Sequence, residues 1–497
     1  MGTHVMSIDQ GTTGTRVIVV NDEGAVEGMA YSEFPQIYPR PGWVEHDPEV
    51  IWETTHTVMK KAMLAASVQP KDIRAIGITN QRETTVLWDR RTLEPVHNAV
   101  VWQCRRSADI CEDLKAKGLA PLFRKKTGLV LDAYFSGTKV KWLLDTIHGL
   151  RDRASSGEIA FGTIDSWLVA KLTRGRIHAT DHTNASRTLM YNIHEKRWDE
   201  ELLDILGVPV AMLPQVVSSC GIVGETDSQI TGAPIPIAGM AGDQQAALFG
   251  QACFHPGEAK NTYGTGCFLL LNTGPDPVEP GEGLILTLAC DDAGAPCYAL
   301  EGSVFIAGAV IQWLRDGLGL IKDASETQAL AEAVPDSHGV YMVPAFAGLG
   351  APYWDMYARG AIMGITRSTT RAHIVRAALE GIAYQVKDLI GAFERCTNKT
   401  FAELKVDGGA CRNDFLMQFQ ADILGCPVDR SVHLESTGMG AAYLAGIATG
   451  VWKPGDPIRE LRRSDMVFVP MIDTEARKRL YDGWQDAVSR VRSGARS

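Results

Sequence analysis

"DQGTTGTR", residues 9–16, is the stretch that decides how this chain folds. Ahead of it, "HVMSID" (4–9) alternates as a strand does. After it, "RVIVVN" (16–21) and "AVEGMAYSEF" (25–34) are two more strands, so the opening is an antiparallel meander whose first turn is Gly and Thr. Such a turn can do more than reverse the chain. Gly11 and Gly14 let a polyanion approach the backbone, Thr12, Thr13 and Thr15 add hydroxyl donors, and Arg16 adds positive charge. Asp9, closing the strand, could hold Mg2+ through water. A plain hairpin turn is the alternative. A P-loop is excluded, because no GxxxxGK[ST] leads from a strand into a helix.

The design returns about 250 residues later: "EAKNTY" (258–263) is a strand, "GTG" (264–266) a turn, and "CFLLLNT" (267–273) a strand. A third glycine turn, "VDGGACRN" (406–413), ends a strand before a helix, where exposed N–H groups suit an anion or a ribose. The repeat predicts a duplicated α/β architecture, joined near "CFHPGEA" (253–259), where Pro256 and Gly257 punctuate the chain. The expected domains are residues 1–252 and 253–497.

Helices fill the later part. "STTRAHIVRAALEGIAYQVKDLIGAF" (368–393) places Ile374, Ala378, Ile382, Val386, Leu389 and Phe393 on one face. "NDFLMQFQADILG" (413–425) turns Leu416, Phe419 and Ile423 inward, and "TEARKRLYDGWQDAVSRV" (474–491) is a closing amphipathic helix. One helix start raises a chemical question. In "AGDQQAALFG" (241–250) Asp243 stands ahead of the core residues Ala246 to Phe249, either as a cap or as an acceptor of a proton.

Bulk properties exclude several functions. The formal charge of -10 gives no global attraction for nucleic acid or anionic lipid. The ten cysteines form no CxxC and no zinc-spaced cluster, so they are expected as free thiols in a reducing cytoplasm. "MGTHVMSIDQ" lacks the basic and apolar regions of a signal peptide. The longest uncharged run, "ILGVPVAMLPQVVSSCGIVG" (205–224), is broken by Pro209 and Pro214, so no membrane insertion is expected.

The three glycine turns together resemble the phosphate-one, phosphate-two and adenosine motifs of the sugar kinase, actin and heat-shock ATPase superfamily. That resemblance implies two ribonuclease-H-like (actin-like ATPase) domains, duplicated, with ATP in the cleft between them. "YFSGTKVKWLLD" (134–145) and "GAIMGITRSTTRAHIVRAALEG" (360–381) resemble the two signatures of the FGGY carbohydrate kinases. "ITNQRETT", "WQCRR", "TNASRT", "AGDQQAALFGQ" and "KNTYGTGCF" are similar to the glycerol-phosphorylating members, over essentially the whole chain.

The residues themselves suit a small polyol. Arg82 and Glu83 follow the apolar strand "IRAIGIT", and a donor beside an acceptor can grip two vicinal hydroxyls; a surface ion pair is the other reading. Trp102 and Phe268 are either core or a cover for the carbon edge of the substrate. The resemblance implies a glycerol pocket of Arg82, Glu83, Trp102, Tyr134, Asp243, Gln244 and Phe268, with Asp243 as general base. It further implies Thr12, Thr13, Gly14, Arg16 and Thr265 at the phosphates, Gly308 and Gln312 on one helix face toward the nucleotide, Gly409 and Asn413 at the adenosine, and Asp9 with Asp243 about Mg2+. A homodimer or homotetramer is the implied assembly. Two rivals remain: another FGGY polyol or ketose kinase, which would be expected to lose "NQRETT" and "WQCRR", and an actin-like switch ATPase, which needs no polyol pocket.

Some positions depart from the family pattern. Gly14 stands where many glycerol-phosphorylating members have Ser, which removes a hydroxyl and is expected to loosen the turn. "DSQITGAPIPIAG" has Pro234 where enteric members place an Arg for an inhibitory sugar bisphosphate. Residues 218–238 contain no His to be phosphorylated, and Ala476 replaces a regulatory Glu. None of these three controls is expected.

Overall fold

The computed structural model describes residues 3–281 and 283–493. Thirteen strands build two large mixed sheets. The first sheet uses β1 (His4–Gln10), β2 (Gly14–Val20), β3 (Val26–Glu33), β4 (Ile73–Asn80), β5 (Cys220–Glu225) and β6 (Pro236–Gly242), in the order β5-β6-β4-β1-β2-β3. The second uses β7 (Ala259–Tyr263), β8 (Cys267–Gly274), β9 (Ile285–Cys290), β10 (Pro296–Val304), β11 (Leu404–Asp407), β12 (Val428–Ser431) and β13 (Ser464–Phe468), in the order β9-β10-β8-β7-β11-β12-β13.

Superposed by order, the sheets are copies. Strand β1 runs antiparallel to β2 and parallel to β4, and β4 is parallel to β6. In the second sheet β7 runs antiparallel to β8 and parallel to β11, and β11 is parallel to β12. Both sheets end in an antiparallel edge strand on that side, β5 or β13. The second sheet carries one strand more, β9, on its far edge.

The parallel strands place the chemistry. The adjacent ends of β1, β4 and β6 deliver the Gly/Thr turn, Arg82 with Glu83, and Asp243 side by side, as carboxyl ends of parallel strands do. The ends of β7 and β11 deliver the other two glycine turns. A lobe between residues 99 and 213, with a core of Phe123, Phe135, Leu143 and Leu203, adds Trp102 and Tyr134.

Helices α1 (Asp243–Gly250) and α2 (Ser436–Ala448) cross between the halves. Helix α1 follows the first sheet, yet its Leu248 packs with Leu270, Ala289 and Ala299 of the second. Helix α2 follows the second sheet, yet its Leu444 and Ala445 share a core with Val5, Ala75 and Ala238 of the first. Glycines make the crossing possible. A Cβ on Gly440 would fall 1.8 Å from the Ala246 carbonyl oxygen, and one on Gly250 2.1 Å from that of Ser436.

The predicted inward faces are formed. In the helix Arg371–Thr397, Ala378, Ile382, Val386, Leu389 and Phe393 are buried and Ile374 is half-buried. Leu416, Phe419 and Ile423 are buried in Asp414–Leu424, and the closing helix spans Thr474–Val491. All ten cysteines are free. Among the described residues no helix is long and apolar enough to cross a membrane.

Candidate active site

Asp243 is the first residue of α1, and Gly242 precedes it. Its carboxylate accepts from the N–H of its neighbour Gln244 at 2.7 Å and forms an ion pair with Arg82 Nε at 3.0 Å. The side chain keeps 28% of its surface exposed. Burial raises its pKa above the ordinary carboxylate value, against the pull of Arg82. A carboxylate that is partly exposed and has a raised pKa suits proton transfer.

Arg82 is buried, and all its nitrogens are engaged. Beyond Asp243, Nη1 donates to Glu301 Oε2 at 2.5 Å and to Gln245 Oε1 at 3.3 Å, and Nη2 donates to Glu301 Oε1 at 3.0 Å. Glu301 also accepts from Arg187 Nη2 at 3.2 Å, and Arg187 Nε donates to Glu83 Oε1 at 2.6 Å. Burial works against the charge on Glu301, but Arg187 and Arg82 outweigh it and pull its pKa down to about 2. For Glu83 burial wins, and its pKa is raised. Arg82 and Glu83, the pair expected to grip two hydroxyls, both stand in this network. Each is tied to another protein side chain, because a charge this deep in the molecule needs a partner. Glu83 also takes a left-handed backbone, with φ 61°.

The remaining substrate candidates join this network. The Tyr134 ring meets Trp102 edge-on at 5.5 Å, and the Arg187 guanidinium lies 5.6 Å from the Tyr134 ring. Gln244 Oε1 accepts from Lys260 Nζ at 2.6 Å, and Lys260 also reaches the Phe268 carbonyl at 3.4 Å. Arg82, Glu83, Trp102, Tyr134, Asp243, Gln244 and Phe268 thus lie along one chain of contacts. Arg187, Glu301 and Lys260 are its links; Arg187 and Lys260 stand in the motifs "TNASRT" and "KNTYGTGCF", but the sequence assigns none of the three a role.

The first Gly/Thr turn is braced by side chains. Gln81 and Gln10 donate to the Gly11 carbonyl at 3.0 and 2.8 Å, and Gln36 donates to the Thr12 carbonyl at 3.0 Å. Beneath them His46 Nε2 donates to Gln36 Oε1 at 2.7 Å, and burial lowers its pKa to about 4. Trp102 Nε1 donates to Thr12 Oγ1 at 2.9 Å, so the substrate wall and the turn are in contact. Thr13 is exposed.

One reading of this turn is corrected. Thr15 points away from the turn's open face, and its Oγ1 is buried without a partner, because strand alternation sends residue 15 opposite to 14 and 16. Arg16 is paired with Glu435 from the second half and lies 5.4 Å from the Tyr31 ring. Gly14 sits in the ladder opposite Glu33. A Cβ there would meet the Ser32 carbonyl oxygen and the Tyr31 hydroxyl, each at 2.7 Å.

The Asp9 carboxylate makes no hydrogen bond among the described residues. Burial raises its pKa to about 7, against Arg16 and with added repulsion from Glu435 and Asp243. Carboxylates short of positive charge fit a divalent cation. Among the described residues no three His, Cys, Asp or Glu side chains form a ligand cluster, so such an ion would take its other ligands from phosphate oxygens and water.

The second half holds a cavity of about 470 Å3. Thr265, Gly308, Gln312, Gly409 and Asn413 all line it, with Thr327 and Gln328 on a wall the motifs do not indicate. The helix Gly308–Asp316 is bonded to the second turn by backbone alone: Gly308 N donates to the Gly264 carbonyl at 3.0 Å and Ala309 N to that of Thr265 at 3.1 Å. A Cβ on Gly308 would stand 2.6 Å from the Gly264 oxygen, whereas one on Gly409 would meet nothing within 4 Å. Gly409 thus leaves open space beside Asn413, whose Oδ1 accepts from Leu416 N and whose Nδ2 donates to Thr327.

Comparison with known proteins places these features in a family. Residues 4–250 match the FGGY family of carbohydrate kinases, N-terminal domain, and residues 259–449 match its C-terminal domain. The chain is 59% identical to a protein named glycerol kinase 2 from Thermotoga maritima over 487 residues, covering 98% of each. It is 58% identical to the glycerol kinase of Carboxydothermus hydrogenoformans over 490 residues, again 98% of each. A crystal structure of Plasmodium falciparum glycerol kinase with ADP aligns with a TM-score of 0.91 at 38% identity, covering 98% of both chains.

Proposed function

This chain belongs to the FGGY family of carbohydrate kinases, and from that premise we propose that it transfers the γ-phosphoryl group of ATP to a terminal hydroxyl of glycerol. The observation that carries the reading is Asp243. It is a partly exposed carboxylate of raised pKa, paired with Arg82 at the start of α1. The relatives named for glycerol phosphorylation match over nearly their full length, which favours this acceptor over a larger sugar.

The adenosine of ATP occupies the cavity at Gln312, Gly409 and Asn413, and its phosphates extend between the turns at Thr12 and Thr265. Glycerol lies against Trp102, Tyr134 and Phe268, with its polar edge on Arg82, Glu83, Asp243 and Gln244. Asp243 takes the proton of the attacking hydroxyl. A bond forms from that oxygen to the γ-phosphorus as the bond from the γ-phosphorus to the β–γ bridging oxygen breaks, giving glycerol 3-phosphate and ADP. Asp9 and Asp243 would hold Mg2+, which when bound neutralises charge on the β- and γ-phosphates. Enclosure of the cleft keeps water from competing for the phosphoryl group. The domain boundary belongs between residues 252 and 253, after α1.

Coupled detection of ADP release tests the reading, with ATP and Mg2+ and either glycerol, erythritol, xylulose, ribulose, gluconate or no acceptor. Turnover confined to glycerol is expected. Turnover with a larger sugar instead would keep the fold and reassign the pocket. A rate indifferent to every acceptor would replace the kinase by an ATPase.

A further inference from the structure

We infer that Lys260 is a positioning residue that fixes the polarity of the Gln244 amide, so that Gln244 meets the acceptor substrate only as a hydrogen-bond donor. The inference rests on the kinase reading above and deepens it. Lys260 lies in β7, in the strand "AKNTY" of the second half, and is fully buried. Its ammonium makes no ion pair among the described residues. Its partners are neutral: Gln244 Oε1 at 2.6 Å, Thr262 Oγ1 at 2.8 Å and the Phe268 carbonyl at 3.4 Å. A charge placed so deep without a carboxylate on it is costly, and burial lowers its pKa to about 8 even with Asp407 and Asp243 in reach of its field.

The chemistry follows from what an ammonium cannot do. It has three donors and no acceptor. An amide facing it must present its oxygen, since the NH2 group would set donor against donor. Gln244 is thereby held with Oε1 toward Lys260, and its Nε2 has no partner among the described residues. The residue keeps 8% of its surface, next to Asp243. A hydroxyl entering there finds an acceptor in Asp243 and a donor in Gln244, which match the two roles one hydroxyl offers. Without the ammonium the amide can rotate and present an oxygen, competing with Asp243 for the same proton.

Steady-state kinetics on the full-length protein, with glycerol and ATP varied in turn, test this. Wild type comes first: absence of turnover with glycerol would overturn the glycerol reading rather than the amide. Given turnover, Lys260→Met is expected to raise KM for glycerol about tenfold and to leave KM for ATP within about twofold. Gln244→Ala is expected to give the same rise, and the double variant no more than either alone, because one residue acts through the other. Unchanged KM for glycerol in Lys260→Met, or additive effects, would overturn the inference. Should Lys260→Met fail to fold, Gln244→Glu decides. It keeps a partner for the ammonium but has no donor, so glycerol binding should weaken as in Gln244→Ala, and wild-type binding would sink the donor role.

Discussion

Two of the contacts that join the halves of this chain are made of opposite materials. Where α1 crosses α2, backbone meets backbone: Gly250 lies against Ser436, Gly440 against Ala246, and Gly77 and Gly239 of the first sheet receive Ala441 and Ala445. Some distance along the same cleft, Glu301 from the second sheet reaches Arg82 and Arg187 of the first, and everything in that contact is charged. A close-packed crossing of small residues has one solution and leaves no side chain to rearrange. A buried ion network is a near balance between desolvation and attraction, so it responds when a substrate oxygen offers a partner an alternative. The crossing therefore sets where the halves sit, and the network can report what lies between them.

Breaking the chemical end of the network has the largest effect. Asp243→Ala should lower kcat by about 10^2- to 10^4-fold, the ordinary weight of a general base, while calorimetry shows ADP binding unchanged. A loss of only a few-fold would leave Asp243 a structural partner of Arg82. The sign of the pH dependence is also set. A base must be deprotonated to act, and burial raises the pKa of Asp243. The acid limb of kcat/KM should therefore lie above the ordinary carboxylate range, with activity present above it and lost as pH falls.

Glu301 tests the network as a structural element. Glu301→Ala leaves Arg82 and Arg187 facing each other without their shared anion, and should cost about 3–5 kcal/mol in denaturant unfolding. The pH behaviour follows from its folded pKa of about 2, below the unfolded 4.5. Its contribution is complete above pH 4.5 and is lost as pH falls through the folded value. Glu301→Gln should remove that part of the acid dependence. A stability change under about 1 kcal/mol in Glu301→Ala would make the network dispensable to the fold.

The same contrast separates what was legible in the sequence from what was not. Glycine turns announce themselves, because no other residue tolerates close approach on both sides, and "GTTGT", "YGTG" and "DGGA" mark the strand ends that the two sheets use. The pocket residues are legible only through a family resemblance, since nothing local separates a site Trp from a core Trp. Arg187, Glu301 and Lys260 escape because each is a single charge in an apolar or small-residue setting, as in "CYALEGSVF" and the strand "AKNTY". The signal is there in principle: a charge inside a buried strand must have a partner. The partner, however, stands 219 residues away for Arg82 and Glu301, and no local pattern names it. Arg16 is a different case. Its position on the turn's face is readable, but its pairing with Glu435 depends on how the halves meet.

At the crossing, Gly440→Ala sharpens the other side of the comparison. Alanine is the better helix former by about 1 kcal/mol, so in an isolated helix it would stabilise. Here its methyl carbon would lie 1.8 Å from the Ala246 oxygen, closer than atoms allow, and the two helices must part. A net loss of about 1–3 kcal/mol is expected by thermal unfolding. Stabilisation instead would show that the crossing is loose.

The smallest effect belongs to Arg16 and Glu435, an ion pair between the halves that is partly open to solvent, with side chains 27% and 42% exposed. Water screens such a pair, so Glu435→Gln should change stability by less than about 1 kcal/mol. Its value lies in binding. Arg16 shares a strand face with Gly14 on the turn that receives phosphate, and Glu435 holds its guanidinium in competition with any phosphate oxygen. Asp9 close by feels the same negative charge. Removing Glu435 frees Arg16 and takes one anion from beside the phosphates, so both consequences favour ATP. The dissociation constant for ATP should fall a few-fold in Glu435→Gln, by about 1 kcal/mol or less, with binding of adenosine unchanged. Weaker ATP binding would mean that Glu435 holds Arg16 in its working position, and that the open pair, like the buried network, organises the cleft.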